Sequence, residues 1–153
     1  EDFAKLDEEK LQKEINSIGL YRNKSKYIIK TSKNIIEKFN GKVPDNRKDL
    51  LQLSGVGRKT ANVILACAFR KNAIPVDTHV FRVSNRIGIA EADKVSGVEK
   101  QLMHNIPEEL WADMHHWLIF HGRRVCKAQN PDCNNCVISN QCQYYSKGED
   151  INE

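Results

Sequence analysis

Four cysteines near the C-terminus, Cys126, Cys133, Cys136 and Cys142, are separated by six, two and five residues. Thiolates this close in sequence can wrap one metal centre, either a tetrahedral zinc or an iron–sulfur cluster. Such a centre would fold a stretch with too few apolar residues to build a core of its own. Disulfides are the competing use of cysteine, and they belong mainly to secreted proteins. Residues 1–20 are charged throughout, with no apolar run ahead of a small-residue cleavage site, so a reducing compartment and a bound metal are expected. The fifth cysteine, Cys67, lies in the apolar run 61–69 and reads as a small core residue.

A second constellation is Leu53-Ser54-Gly55-Val56-Gly57-Arg58-Lys59-Thr60, with two glycines one residue apart between the end of one helix and the start of the next. Without Cβ atoms this turn can take positive φ and bare consecutive amide N–H groups, and the following helix adds its unpaired N–H groups and the positive end of its dipole. Gly55, Val56, Gly57, Arg58 and Thr60 thus form a candidate grip for an anion, a nucleic-acid phosphate above all. The run is neither a Walker loop, which needs four residues between its glycines, nor a dinucleotide fingerprint, because no strand precedes it. An ordinary tight helix–helix connection is the plain alternative.

The elements that must position these groups read as helices joined by short turns. Asp7 can cap a helix carrying Leu11, Ile15 and Ile18, with Gly19 as its left-handed stop. Ser25 can cap the next, with Ile28, Ile35, Ile36 and Phe39 at helical spacing and Asn40-Gly41 as its end. Pro44 and Asp45 restart the chain. Residues 58–69 are apolar on nearly every face, which predicts a central helix. After Pro75, residues 78–87, 98–105 and 108–120 look helical, with Trp111, Trp117 and Phe120 assigned to the core. Of His115, His116 and His121, two are expected in packing and one in solvent, and His79 is read as a packed or capping residue. Gly122 marks the expected boundary between a helical body, 1–121, and a cysteine loop, 122–145; residues 146–153 form a polar tail. The class is all-α.

Composition adds bounds. At 153 residues the chain can bury a real core, and no stretch approaches the roughly 20 apolar residues that span a bilayer. The formal charge of +4 permits a polyanionic partner without requiring one. Basic residues gather at Arg22, Lys24, Lys26, Lys30 and Lys33, at Arg58 and Lys59, and at Arg123, Arg124 and Lys127; each group can equally be a solvated helix face.

The run LSGVGRKTANVILACAF, the later IPVDTHVFRVSNR and the Cys-x6-Cys-x2-Cys-x5-Cys loop together resemble the endonuclease III family of DNA glycosylases, of the helix–hairpin–helix superfamily. The likeness extends over nearly the whole chain. It implies a helix–hairpin–helix glycosylase fold, with the motif at about 46–69. It also implies a base-excision repair enzyme that acts on oxidised pyrimidines in double-stranded DNA, working as a monomer in the cytoplasm near the nucleoid, with no membrane. By this resemblance Lys59 matches the catalytic lysine and Asp77 the catalytic aspartate; on its own, an Asp ahead of Thr78-His79 reads as a helix N-cap, a role that need not exclude catalysis. Cys126, Cys133, Cys136 and Cys142 match the ligands of a four-iron four-sulfur cluster, with zinc as the rival.

The residue types suit that chemistry. An amine can trap the sugar C1′ as a Schiff base, and the imine acidifies the neighbouring carbon for β-elimination, which is the AP lyase step. Arg58 and the helix N-terminus both work against a protonated amine at Lys59. An extended return through 70–76 is expected to bring Asp77 to face Lys59 across one cleft. Alternatives of other classes are a non-catalytic DNA-binding module and a monofunctional glycosylase of the same fold, although relatives of the latter kind generally lack the lysine. The sequence departs from the family in three ways. Family members carry further helices before the point matching Glu1, so the resemblance implies an N-terminally truncated fold. Ser54 stands where proline is common, which should loosen the hairpin. The stretch 127–132 offers a single lysine to a DNA backbone.

Overall fold

The computed structural model describes residues 1–148, so the end of the expected polar tail, 149–153, lies outside the described residues. Among these residues the regular structure is entirely helical. Two compact units divide the chain, one through Leu65 and the other from Ala66 onward.

The first unit opens with α1 (Asp2–Lys5) and α2 (Glu8–Glu14), the latter capped by Asp7, whose side chain accepts from the Lys10 N–H at 3.0 Å. The long α3 (Tyr21–Phe39) follows and packs against both. Two expectations about its start are corrected. The left-handed residue is Leu20 (φ 60°) and not Gly19, and α3 begins at once beyond it, so Ser25 is no cap. Ser25 is instead buried in the first turns, its hydroxyl satisfied by donating to the Arg22 carbonyl at 2.9 Å. Asn40 (φ 51°) and Gly41 (φ 74°) end α3 in the left-handed region, as read from the sequence. The restart is α4 (Arg47–Leu50), capped by Asn46. A turn then leads to α5 (Arg58–Val63), which continues into a π-helical turn, Ile64–Ala68.

That continuation departs from the expected central helix. Ala61, Asn62 and Leu65 are buried, but Cys67 and Ala68 are exposed, so Cys67 is not a core residue. The wider i→i+5 turn rotates the later residues off the stripe that Ala61 and Leu65 define.

In the second unit the segment 71–77 carries no regular structure, and Ala73, Ile74 and Val76 are buried in it. Then come α6 (Thr78–Ile87), α7 (Val95–Asn105), a 3-10 turn (Glu108–Leu110) and α8 (Trp111–Arg124). The core is built from Ile74, Val80, Val83, Val98, Leu102 and Leu118 with their neighbours. α8 runs through Gly122 and ends at Arg124, just before the cysteine loop; a Cβ at Gly122 would lie 2.9 Å from Val83 Cγ2, so its smallness lets α6 and α8 approach closely. On α8 the buried face is Trp111, His115, Leu118 and Gly122. Trp117 (53% exposed) and Phe120 (49%) project from the opposite side, which overturns their core assignment; only Trp111 holds it. The cysteine loop, a 3-10 turn (Ser139–Gln141) and the short α9 (Gln143–Ser146) complete the described chain.

Candidate functional site

The glycine hairpin is built as the sequence implies, and its geometry assigns each glycine a reason. The Val56 N–H donates to the Leu53 carbonyl at 3.2 Å, closing a four-residue turn in which Gly55 has φ +76°. A Cβ at residue 55 would be strained and would sit 2.7 Å from Cγ of Tyr27. Gly57 has φ −90°, which any residue adopts, but a Cβ there would meet nothing within 4 Å among the described residues. One glycine therefore answers to conformation and packing, while the other leaves room for something to approach the backbone. Gly55, Gly57, Arg58, Lys59 and Thr60 are exposed and Val56 is half-buried. The first N–H groups of α5 have no acceptor within their own helix, so they point positive charge outward beside the Arg58 and Lys59 side chains.

Residues that sequence reasoning missed hold this turn in place. Thr31 Oγ1 donates to the Ser54 carbonyl. Ser54 Oγ donates to Asn34 Oδ1 at 3.2 Å. Together with Tyr27 they form one stripe on α3, at spacings of four and three residues. Nothing in local sequence marks them, because each acts on a partner at least twenty residues away. The basic group Arg22, Lys24, Lys26, Lys30 and Lys33 on α3 is exposed throughout.

In the second unit Asp77 is half-buried and caps α6: its Oδ1 accepts from the N–H groups of His79 at 2.9 Å and Val80 at 2.8 Å. Lys59 and Asp77 thus fall in different units, each fixed by its own helix start. His79 packs as expected, against Gly122, and its Nδ1 accepts from Arg82 Nη2 at 3.2 Å because a guanidinium can only donate. His115 is buried and donates Nδ1–H to the Pro75 carbonyl at 2.8 Å, which ties α8 to the segment leading into Asp77. His116 is exposed and His121 half-buried, so two histidines pack and one faces solvent. Burial lowers the His121 pKa.

All five cysteines are free thiols. Cys126, Cys133, Cys136 and Cys142 line one cavity with Ile87 and His121. Among the described residues no three His, Cys, Asp or Glu side chains converge as a ready single-ion site. The donor set nevertheless suits a sulfur-ligated centre. Burial pushes the Cys133 thiol up, and Cys126, Cys142 and Cys136 push it further, with Arg86 opposing them. Four sulfur donors around one cavity match the donor set that a zinc ion or an iron–sulfur cluster takes.

Two further residues missed by the sequence reading hold the loop, Arg82 and Arg86, one turn apart on α6. Arg82 donates from Nε and Nη2 to the Cys126 carbonyl at 3.3 and 3.1 Å and to the Gly122 carbonyl at 2.9 Å. Arg86 donates to the Lys127 carbonyl at 2.6 Å and the Ala128 carbonyl at 3.0 Å, reaches Cys126 Sγ at 3.6 Å, and stacks 4.6 Å from the Tyr144 ring centroid. The signal that could have found them is a pair of arginines four apart on one face of a helix whose Val80 and Val83 face the core.

Residues 1–108 match the HhH-GPD superfamily of base excision DNA repair proteins. The chain is 54% identical over 144 residues to endonuclease III of Bacillus subtilis, covering 94% of this chain and 66% of that protein. It is 50% identical over 145 residues to endonuclease III of Rickettsia prowazekii, covering 95% and 68%. Among solved structures, an endonuclease III trapped as a covalent intermediate with DNA superposes with a TM-score of 0.90 at 49% identity, covering 96% of this chain and 70% of that one. The chain spans about two thirds of the length of these relatives. With the helical fold, the glycine hairpin and the four-cysteine loop all present, this chain belongs to the endonuclease III family of base excision DNA repair proteins.

Proposed function

We propose that this chain is a DNA N-glycosylase with AP lyase activity, which removes oxidised pyrimidines from double-stranded DNA with Lys59 as nucleophile and Asp77 as its acidic partner. The observation that carries the reading is the 49% identity and 0.90 TM-score to an endonuclease III captured covalently on DNA, in a chain whose exposed Lys59 lies two residues after Gly57 of the glycine hairpin.

The reaction runs as two linked bond exchanges. As the base leaves with the electron pair of its C1′–N bond and takes up a proton, the lone pair of Lys59 Nζ bonds to C1′. The C1′–O4′ pair then passes to O4′, which accepts the proton shed by the lysine nitrogen, and the ring opens to an imine. The imine draws the pair of the C2′–H bond; that proton departs and the 3′ phosphate leaves with its oxygen's bonding pair. Water hydrolyses the remaining imine and frees Lys59. Asp77 supplies negative charge beside the cationic sugar. Its Oδ1 is held by the two amides of α6, while Oδ2 takes no part in those bonds. Gly55, Val56, Gly57, Arg58 and Thr60 hold the DNA backbone through amides and positive charge.

Cys126, Cys133, Cys136 and Cys142 would hold a four-iron four-sulfur cluster, zinc being the alternative. When bound, the group cross-links the loop and contributes structure, not sugar chemistry. The protein acts as a monomer in a reducing, DNA-bearing compartment; among the described residues no helix is long and apolar enough to cross a membrane.

Borohydride reduction of a mixture with abasic-site duplex should yield a covalent protein–DNA adduct, and Lys59→Gln should abolish it. Undiminished trapping in that variant rejects Lys59 as the nucleophile. The alternative of a DNA-binding module without catalysis predicts no strand cleavage at abasic sites under any condition.

A further inference from the structure

We propose that Thr31 and Asn34 are positioning residues that aim the amide of Gly55 at the DNA phosphate; this rests on the reading that the hairpin grips the backbone. The turn 53–56 is closed by Val56 N–H to the Leu53 carbonyl, and only its third residue, Gly55, has positive φ, the signature of a type II turn. Types I and II differ chiefly in the direction of the central peptide, here Ser54–Gly55, which turns over between them. Thr31 Oγ1 donates to the carbonyl of that very peptide. A trans peptide sets its C=O and N–H on opposite sides. Fastening the Ser54 carbonyl down onto α3 therefore holds the Gly55 N–H facing away from α3. In the flipped turn the carbonyl oxygen would take the outward place and repel a phosphate.

The second residue of a type II turn is where proline is favoured, because its ring fixes φ. Ser54 lacks that restraint, and its own N–H closes no backbone hydrogen bond among the described residues. The bond from Ser54 Oγ to Asn34 Oδ1 supplies the restraint from outside. Serine at this position therefore does not loosen the hairpin: two side chains of α3 stand in for a ring. Tyr27 completes the seat, since its ring lies where any Cβ on residue 55 would have to go.

The test uses the full chain and a duplex carrying a reduced abasic-site analogue, with Kd measured over a series of salt concentrations and melting temperature recorded for each variant. Thr31→Val keeps the branched shape and removes the donor; it should weaken binding about tenfold, the loss of one charge-assisted amide contact. The slope of log K against log salt should be unchanged, because no cation is removed. Thr31→Ser should return the affinity to near the starting value. Adding Ser54→Pro to Thr31→Val should recover most of the loss, because the ring restores the turn without α3. Binding by Thr31→Val equal to the parent, or a double variant no better than Thr31→Val at matched melting temperature, overturns the proposal. Gly55→Ala separates this from the underlying reading. If it binds like the parent, the hairpin itself is not a phosphate grip; if it is weak while Thr31→Val is not, the hairpin grips but α3 does not aim it.

Discussion

Asp77 shows how one side chain can hold two tasks that substitution can pull apart. As the α6 cap it accepts two amide hydrogen bonds through Oδ1. As the proposed catalytic carboxylate it must also carry charge. Asparagine retains the acceptor and discards the charge, whereas alanine discards both. Asp77→Asn should therefore leave the melting temperature near the parent value, and Asp77→Ala should lower stability by about 1 kcal/mol, while both slow turnover on abasic-site DNA. Equal turnover by Asp77→Asn and parent would reduce Asp77 to a cap. The cap was legible in the sequence because capping is local chemistry, an Asp ahead of Thr-His and an apolar period. Leu20 was not. Its φ of 60° and 75% exposure place an apolar side chain in solvent on strained backbone, and a glycine one position earlier drew the expectation of a left-handed residue to itself.

At the scale of the element, α6 does more than its apolar pattern announces. Its first residues are held by Asp77, Val80 and Val83 enter the core, and Arg82 and Arg86 reach back to the carbonyls of the cysteine loop. The same helix therefore carries the candidate carboxylate at one end and the cysteine loop's anchor at the other. A guanidinium makes several bonds in a fixed fork that an ammonium cannot copy. Arg86→Lys should shorten the lifetime of the metal–thiolate absorbance in the presence of chelator, and Arg86→Leu should shorten it further and cost about 1–3 kcal/mol of stability; unchanged bleaching rates in both would show the anchor to be dispensable. The helix boundaries of α6 could be read from periodicity and caps alone. The face of α8 could not, since Trp117 and Phe120 recur at helical spacing just as core residues do. Only the partners of Trp111, His115 and Leu118 decide which stripe is buried. The Thr31 and Asn34 tethers were illegible for the same reason, being set by a turn distant in sequence.

For the whole molecule, the distribution of apolar burial says which parts stand without metal. The second unit's core is drawn from residues 74–118 with Cys126 at its edge, and of the described loop beyond it no side chain is buried. The loop has a 3-10 turn and the four residues of α9 as its only regular structure among the described residues. What holds it is the Arg82 and Arg86 bonds, Cys126 at the edge of the core, the close approach of Gln143 to Gly88, and a cavity that the four cysteines line with Ile87 and Val125. If these four cysteines hold a metal centre, as proposed, that centre cross-links the loop, so removing it should loosen the loop while leaving the α6–α8 packing intact. Chelation should then lower the far-ultraviolet helix signal only slightly. Trypsin should gain access to Arg123, Arg124 and Lys127, all exposed, and leave a resistant fragment ending there. If helix signal instead falls cooperatively with metal loss, the loop and the helical core are a single folding unit, and the division between a self-sufficient helical body and a metal-dependent appendage is wrong.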